Sequence, residues 1–116
     1  MSQGKLYHNP RCSKSRQTLE LLKSRDINPE IILYLDAPPS EAELGKVIKM
    51  LGISPRELLR KKESEYKEQN LADDTLKDKE IIQAMVQFPR LIERPIFIND
   101  GKAAIGRPPE NVLELI

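Results

Sequence analysis

The fold is decided by residues 5–35, which read KLYHNPRCSKSRQTLELLKSRDINPEIILYL. Lys5–Tyr7 is a short apolar stretch that stops before Asn9-Pro10, and it predicts a first strand. Ser13–Arg25 carries good helix formers with leucines on one face, which predicts a helix. Ile31–Leu35 is β-branched at its start and bounded by prolines, so it predicts a buried second strand. Together these segments form a β-α-β unit whose strands are expected to run parallel.

The middle of the chain, at about residues 40–90, is predicted to be helical. Ser40 and Glu43 have capping-box spacing, and the apolar residues after them recur at helical intervals. Ser54-Pro55 predicts the start of a short helix, with the serine as its cap. Asp78 is expected to cap a further helix, and the charged residues between these helices are expected to be exposed.

The C-terminal part of the chain predicts two more strands and a last helix. Ile96–Ile98 is an apolar run, and Asn99–Gly101 offers the left-handed conformations of a tight hairpin turn. Lys102–Ile105 returns as the antiparallel partner. Pro108-Pro109 can open a final helix, whose Val112, Leu113 and Ile116 are expected to pack inward. The fold class is therefore α/β, a thioredoxin-like mixed sheet of β-α-β and β-β-α parts with a helical insertion.

Composition limits the architecture and the setting. The 116 residues, 39% of them hydrophobic, suit a single domain over 1–116 with its insertion at about 40–90. The longest apolar run, Ile31–Leu35, is too short to cross a bilayer, and the N-terminus lacks a signal-peptide pattern. A net charge of +1 argues against nucleic-acid binding by bulk charge. We therefore expect a cytoplasmic protein without nucleic-acid or membrane partners, and a monomer.

Cys12 is the one cysteine of the chain, which excludes an internal disulfide, and one histidine beside it cannot complete a zinc site. The position between a strand and a helix N-terminus is expected to stabilise a thiolate. Arg11, Lys14 and Arg16 add positive charge around it. His8 could pair with the thiolate as an imidazolium or relay a proton. The alternative is that Cys12 is a small buried hydrophobic residue and His8 a surface residue.

The residues after the cysteine exclude two chemistries. The third residue after Cys12 is Ser15, so dithiol exchange within a Cys-x-x-Cys loop is impossible and a resolving thiol must come from elsewhere. A Cys-x5-Arg phosphatase loop would require arginine where Thr18 stands. Ser15 and Asn9 either hydrogen-bond the thiolate or shape the turn and the helix cap, and the sequence leaves both roles open.

The stretch His8–Arg16, HNPRCSKSR, resembles the His-x3-Cys-x3-Arg active-site loop of the glutaredoxin-coupled arsenate reductase family, in particular its chromosomal branch. The likeness continues in order through Ile31–Leu35, Pro38–Ser40, Gly52–Ser54, Leu58–Lys61, Arg94–Ile96 and Gly106–Pro108. It covers nearly the whole chain and implies a thioredoxin-like fold with a helical insertion. Ser13-Lys14 departs from the glycine and threonine of the best-known arsenate reductases.

The resemblance implies a catalytic set in which Cys12 attacks the arsenic of arsenate, with His8 as the second catalytic residue. The implied substrate-binding residues are Arg60, Arg94, Arg107, Arg16 and Ser15. Guanidinium forks suit a tetrahedral oxyanion, and a helix N-terminus adds to the attraction. Pro95 resembles the cis proline that lies beside the reactive cysteine of thioredoxin-like folds.

The implied reaction begins with attack by Cys12 and loss of water, after which glutathione forms a mixed thiol adduct and glutaredoxin supplies the reducing thiol. Glutathione is thus a co-substrate, and no bound cofactor or metal is expected. Two alternatives remain: a redox-responsive regulator of the Spx type, which binds RNA polymerase, and a thiol oxidoreductase acting on another substrate. Convergence of Arg60, Arg94 and Arg107 would favour the oxyanion enzyme, because a regulator does not require it.

Overall fold

The computed structural model describes residues 4–116. The chain divides into two compact units, one formed by the residues up to Ala37 together with Arg94–Ile116, and the other by Pro38–Glu93. We call the first the sheet unit and the second the inserted unit. In the described residues, no helix is both long and apolar enough to span a membrane.

The sheet unit holds a four-stranded mixed sheet in the order β2-β1-β3-β4. Its elements are β1 (Lys5–Tyr7), α1 (Ser13–Ser24), β2 (Glu30–Ile32), β3 (Ile96–Asn99), β4 (Lys102–Ile105) and a C-terminal 3₁₀ segment (Pro109–Leu115). Leu6 on the central strand β1 pairs with Ile31 in parallel and with Phe97 in antiparallel orientation. The predicted fold class, with parallel first strands and an antiparallel last pair, is confirmed.

The core of the sheet unit lies between the sheet, α1 and the C-terminal segment. Leu6, Leu22, Phe97 and Val112 are fully buried there and form one apolar cluster. Each such side chain stabilises the fold by about 1.5–3 kcal/mol when buried. This packing fixes α1 against the sheet and so fixes the turn between β1 and α1.

The second strand differs from its prediction. β2 covers only Glu30–Ile32, and the chain then turns, with the Asp36 N–H donating to the Leu33 carbonyl. Leu33 and Leu35 are 41% and 38% exposed, and Ile31 is 40% exposed. A buried strand over Ile31–Leu35 is therefore wrong. The reason is that β2 is an edge strand, so an apolar run there is not covered from both sides.

The final helix also differs from expectation. Residues 109–115 form a 3₁₀ helix, in which residues three apart lie on the same side. Val112 is fully buried and Leu115 packs against the same core, whereas Ile116 remains 47% exposed. The inward packing predicted for Ile116 is wrong because the prediction used α-helical spacing.

The inserted unit is a small helical assembly. Its elements are α2 (Glu41–Leu51), α3 (Pro55–Leu58), α4 (Ser64–Glu68), α5 (Asp78–Gln87) and a 3₁₀ turn (Pro89–Leu91). Ser40 caps α2 and left-handed Gly52 ends it, as the sequence predicts. Lys77 rather than Asp78 occupies the cap position of α5, and Asp78 is its first helical residue. Buried Leu44 and Ile81 belong to α2 and α5, which pack together.

Candidate active site

Cys12 occupies the N-cap position of α1 in extended conformation, with φ −93° and ψ 123°. Its N–H donates to the Asn9 carbonyl at 3.0 Å, and its own carbonyl accepts the Arg16 N–H at 3.0 Å. Within the described part of the chain, its side chain makes no capping hydrogen bond to the helix. The sulfur therefore lies at the end of α1 where free N–H groups and the positive end of the dipole are found.

A guanidinium lies directly against this sulfur. Arg107 Nη2 is 3.5 Å from Cys12 Sγ, and Arg107 Nε donates to the Arg94 carbonyl at 2.7 Å. The peptide bonds Arg94–Pro95 and Arg107–Pro108 are both cis. The Arg94 carbonyl thus holds one edge of the Arg107 guanidinium while another nitrogen of that group faces the thiol.

Gly106 explains how Arg107 reaches its position. The Gly106 N–H donates to the Pro95 carbonyl at 2.9 Å, and the Thr18 hydroxyl lies 3.4 Å from the Gly106 carbonyl. A β-carbon at Gly106 would come within 2.5 Å of Thr18 Oγ1 and 2.9 Å of Pro95 Cγ. Only glycine allows this close approach of the end of β4 to α1 and to the Pro95 turn.

His8 is buried behind the cysteine loop and bound to Ser15. Its Nδ1 lies 2.7 Å from Ser15 Oγ, and the Asn9 N–H donates to the same oxygen at 3.0 Å. The serine hydroxyl has one proton and two lone pairs, so it can accept from Asn9 and also bond to Nδ1 in either tautomer of the ring. Ser15 is fully buried on α1. Its hydrogen bonds to His8 and Asn9 connect the end of β1 to that helix.

The surroundings of His8 bear on its two predicted roles, both of which stay predictions. Burial, followed by the charges of Arg16 and Lys23, lowers the pKa of His8 below its ordinary value. The neutral imidazole is favoured at neutral pH, which disfavours an imidazolium partner for the thiolate. A neutral His8 linked to Ser15 is compatible with the other predicted role, proton relay.

The remaining loop residues bond within the loop. Arg16 Nη1 donates to the Pro10 carbonyl at 2.8 Å, and Asn9 Oδ1 accepts the Arg11 N–H at 3.0 Å. Of the two roles left open for Asn9, the structure therefore shows that of shaping the turn. Arg16 is exposed at the start of α1, and its role in substrate binding stays a prediction.

Arg60 belongs to the inserted unit. Its guanidinium forms ion pairs with Glu63 at 3.1 Å and Glu93 at 3.7 Å, and its N–H donates to the Leu91 carbonyl at 2.8 Å. The two acids hold the side chain at the point where the chain leaves α3. Its contribution to oxyanion binding stays a prediction.

The structure thus brings Cys12, Arg107 and the Arg94 carbonyl together, and joins His8 to Ser15. Sequence reasoning missed Thr18, whose contact with Gly106 depends on a residue 88 positions away. A signal for Gly106 was present, because a glycine before an Arg-Pro pair at a strand end often marks a close backbone approach. In the described residues, no group of three or more His, Cys, Asp or Glu side chains is arranged to hold a metal.

Comparison with known proteins identifies the family. Residues 7–115 match the model of the ArsC family. The chain is 57% identical over 115 residues to the uncharacterized protein YfgD of Escherichia coli K12, covering 98% of this chain and 97% of that protein. It is 46% identical to an arsenate reductase of Escherichia coli, covering all of this chain and 82% of the relative. The solved arsenate reductase of Vibrio cholerae superposes with a TM-score of 0.95 at 47% identity, over 99% of this chain and 100% of that structure. The chain belongs to the ArsC family.

Proposed function

We propose that this protein reduces arsenate to arsenite, with Cys12 as the nucleophile. The observation that carries the proposal is the contact between Arg107 Nη2 and Cys12 Sγ at 3.5 Å, at the N-terminus of α1. A cation and the positive end of a helix dipole beside one sulfur suit the negative charge that the sulfur carries when it attacks. Relatives 45–49% identical over almost the entire chain are named arsenate reductases, which supports the same activity here.

The same groups suit the substrate. An arsenate oxyanion approaching Cys12 would meet the fork of Arg107 and the N–H groups of the first turn of α1. We assign Arg94, Arg60 and Arg16 to substrate binding as well, on the basis of the motif match. Arg107 is the best supported of them, because its guanidinium already lies in contact with the sulfur. Ser15 is fully buried and bonded to His8 and Asn9, so the direct substrate contact predicted for it is replaced by a role through His8 and the loop.

The first step forms a bond between Cys12 and arsenic. The thiolate attacks As(V), an S–As bond forms, one As–O bond breaks, and the oxygen leaves as water after taking up two protons. Arsenic keeps its oxidation state in this step. We expect neutral His8 and the Ser15 hydroxyl to relay the proton that the Cys12 thiol gives up.

Reduction needs two further thiols, which fits a chain with one cysteine. Glutathione displaces a second oxygen as water and gives an adduct in which arsenic links Cys12 to the glutathione sulfur. The glutaredoxin thiol then attacks that glutathione sulfur. A disulfide forms, the As–S bond to glutathione breaks, and its electron pair reduces arsenic to As(III). Water finally hydrolyses the remaining S–As bond, releasing arsenite and free Cys12. A monomer in the reducing cytoplasm suits this chemistry.

A coupled assay tests the proposal. Arsenate-dependent oxidation of NADPH is followed with glutathione, glutathione reductase and glutaredoxin, and each thiol component is omitted in turn. We expect turnover with the wild-type protein and none with Cys12→Ser. Loss of turnover on omission of glutathione or glutaredoxin would support the assigned co-substrates.

The variant Lys102→Gln is a matched surface control, since Lys102 is exposed at the start of β4. It should turn over like the wild type. A folded wild-type protein without arsenate turnover would contradict the proposal and favour another thiol substrate or a protein partner. Unchanged turnover by Cys12→Ser would contradict the assigned nucleophile.

A further inference from the structure

A groove of about 830 Å³ runs along α1 within the sheet unit. Ser13 and Pro108 line it, and they directly follow Cys12 and Arg107, whose side chains are in contact. The groove is thus lined by the residues that directly follow the contacting pair in the chain, while Cys12 and Arg107 themselves do not line it. Its volume falls in the range of about 300–1,000 Å³ that is usual for small-molecule sites.

Both walls of this groove carry charged residues: Lys14, Arg16 and Glu20 on α1, and Glu110 on the C-terminal 3₁₀ segment. Lys14 lies on the α1 wall, one residue after Ser13, and Glu110 lies on the wall formed by the C-terminal 3₁₀ segment, two residues after Pro108. Both side chains are exposed, and neither forms an ion pair within residues 4–116. A ligand with both a carboxylate and an ammonium group complements this arrangement.

We propose that this groove binds the peptide thiol that attacks the Cys12–arsenic adduct. This proposal rests on the proposed function and assigns a site to its co-substrate. A tripeptide thiol of the glutathione type would place a carboxylate on Lys14 and its ammonium on Glu110. Its central thiol would then lie between Ser13 and Pro108, facing the adduct.

The layout of the ligand leads to the same placement. An extended tripeptide spans about 10 Å, with its cysteine in the middle and its charged groups at the ends. Its end groups would contact Lys14 and Glu110 while its thiol faces the adduct. The bound thiol displaces one oxygen of the arsenic adduct as water, and the new As–S bond replaces the broken As–O bond.

A second pocket near the cysteine loop provides the alternative location. It measures about 310 Å³ and is lined by the Asn9–Arg11 turn and by Leu33 and Leu35. His8, Arg11 and Asp36 also line it, so this pocket too offers charged and polar groups. Its volume lies at the lower end of the range for small-molecule sites, whereas the larger groove has room for a tripeptide. The two locations are distinguished by experiment.

The first test measures binding without chemistry. S-methylglutathione, which has no free thiol, is titrated into the ¹⁵N-labelled wild-type protein. We expect the shifted amides to cluster at Ser13–Gln17 and around Glu110. Lys14→Glu and Glu110→Lys should each weaken binding about tenfold, and Lys102→Gln should leave it unchanged. Shifts confined to Leu33–Asp36, or no binding at millimolar ligand, would overturn the proposal.

The second test separates this proposal from the proposed function. In the coupled assay, Lys14→Glu and Glu110→Lys should each raise the KM for glutathione about tenfold, and in Glu110→Lys kcat at saturating glutathione should change less than about twofold. Binding in the groove without any arsenate turnover would overturn the proposed function and leave the peptide-binding site in place. If Lys14→Glu and Glu110→Lys both turn over like the wild type, with an unchanged KM for glutathione, the proposed binding site is overturned. The proposed function would still stand. Glu110→Lys also serves as an independent variant if Lys14→Glu does not fold.

Discussion

The N-termini of α1 and α2 are built in opposite ways. The Ser40 hydroxyl caps α2 by accepting the Glu43 N–H at 3.1 Å, and Glu41 and Glu43 complement the helix dipole. Cys12 begins α1 without such a bond, and the first turn of α1 contains no acid. A good N-cap stabilises a helix by about 1 kcal/mol relative to alanine. The difference teaches that α2 uses its N-terminus for stability, whereas, among the described residues, the N-terminal N–H groups of α1 receive neither a side-chain cap nor an acidic residue.

The two helices also differ in what holds them. α2 begins with local bonds between residues three apart in sequence. The start of α1 is held by residues far away in the chain, because Thr18 contacts Gly106 and Cys12 contacts Arg107. The reactive end of α1 therefore depends on tertiary structure, and the predictions below test this dependence.

The largest effect is expected at the cap position itself. Cys12→Ser and Cys12→Ala should both lower arsenate turnover more than about 1,000-fold, since each removes the nucleophile. Serine is a good cap and alanine is a poor one, so the serine variant should be about 1 kcal/mol more stable. Urea unfolding measures the difference. Equal stability of the two variants would show that position 12 does not act as a helix cap.

A pair of glycine substitutions tests the tertiary support of α1. Gly106→Ala should destabilise the fold by about 1–3 kcal/mol and reduce turnover, because its β-carbon would overlap Thr18 and Pro95. Gly45→Ala in α2 is the matched control, since a β-carbon there meets nothing within 4 Å. It should stabilise the fold by about 0.5–1 kcal/mol. Thermal unfolding of both variants measures this contrast, and a harmless Gly106→Ala would contradict the close approach.

Removing the cap of α2 should affect stability alone. Ser40→Ala is expected to lower the free energy of unfolding by about 1 kcal/mol, because the Glu43 N–H loses its acceptor. Arsenate turnover per folded molecule should stay the same. Ser40→Asp retains a capping oxygen and should restore most of the stability. A loss of turnover in folded Ser40→Ala would show that the cap of α2 contributes to activity as well as to stability.

The smallest effect is expected in the pH dependence of stability. The pKa of His8 is lower in the folded protein than its usual value of about 6.5, so the unfolded chain binds the proton more readily. Above about pH 6.5 His8 therefore has little effect on the free energy of unfolding. As the pH falls below about 6.5 the unfolded chain takes up the proton first, so His8 lowers the free energy of unfolding. His8→Gln, which can still accept a bond from Ser15, should show a flatter stability profile between about pH 7 and 5. Since His8 is the one histidine of the chain, identical profiles would contradict the lowered pKa.

Local sequence patterns predicted most of the elements. The strand Lys5–Tyr7, the helix after Cys12 and the capped helix after Ser40 lie where the sequence places them. Each depends on interactions between residues close in the chain, such as caps, prolines and apolar periodicity. The errors at Ile31–Leu35 and Ile116 arose where burial depended on a neighbour in the sheet or on a different helix type.

The candidate site also combines features that the local sequence predicts with contacts that only the fold creates. The sequence by itself determined that one thiol lies before a helix, among basic residues and without a second cysteine, because composition and order alone establish these facts. Tertiary structure decided which arginine contacts the sulfur, and it decided that His8 is buried and bound to Ser15, with a lowered pKa. The physical reason is distance along the chain: 95 residues separate Cys12 from Arg107, and only the pairing of β3 with β4 and the close approach of Gly106 bring the two together.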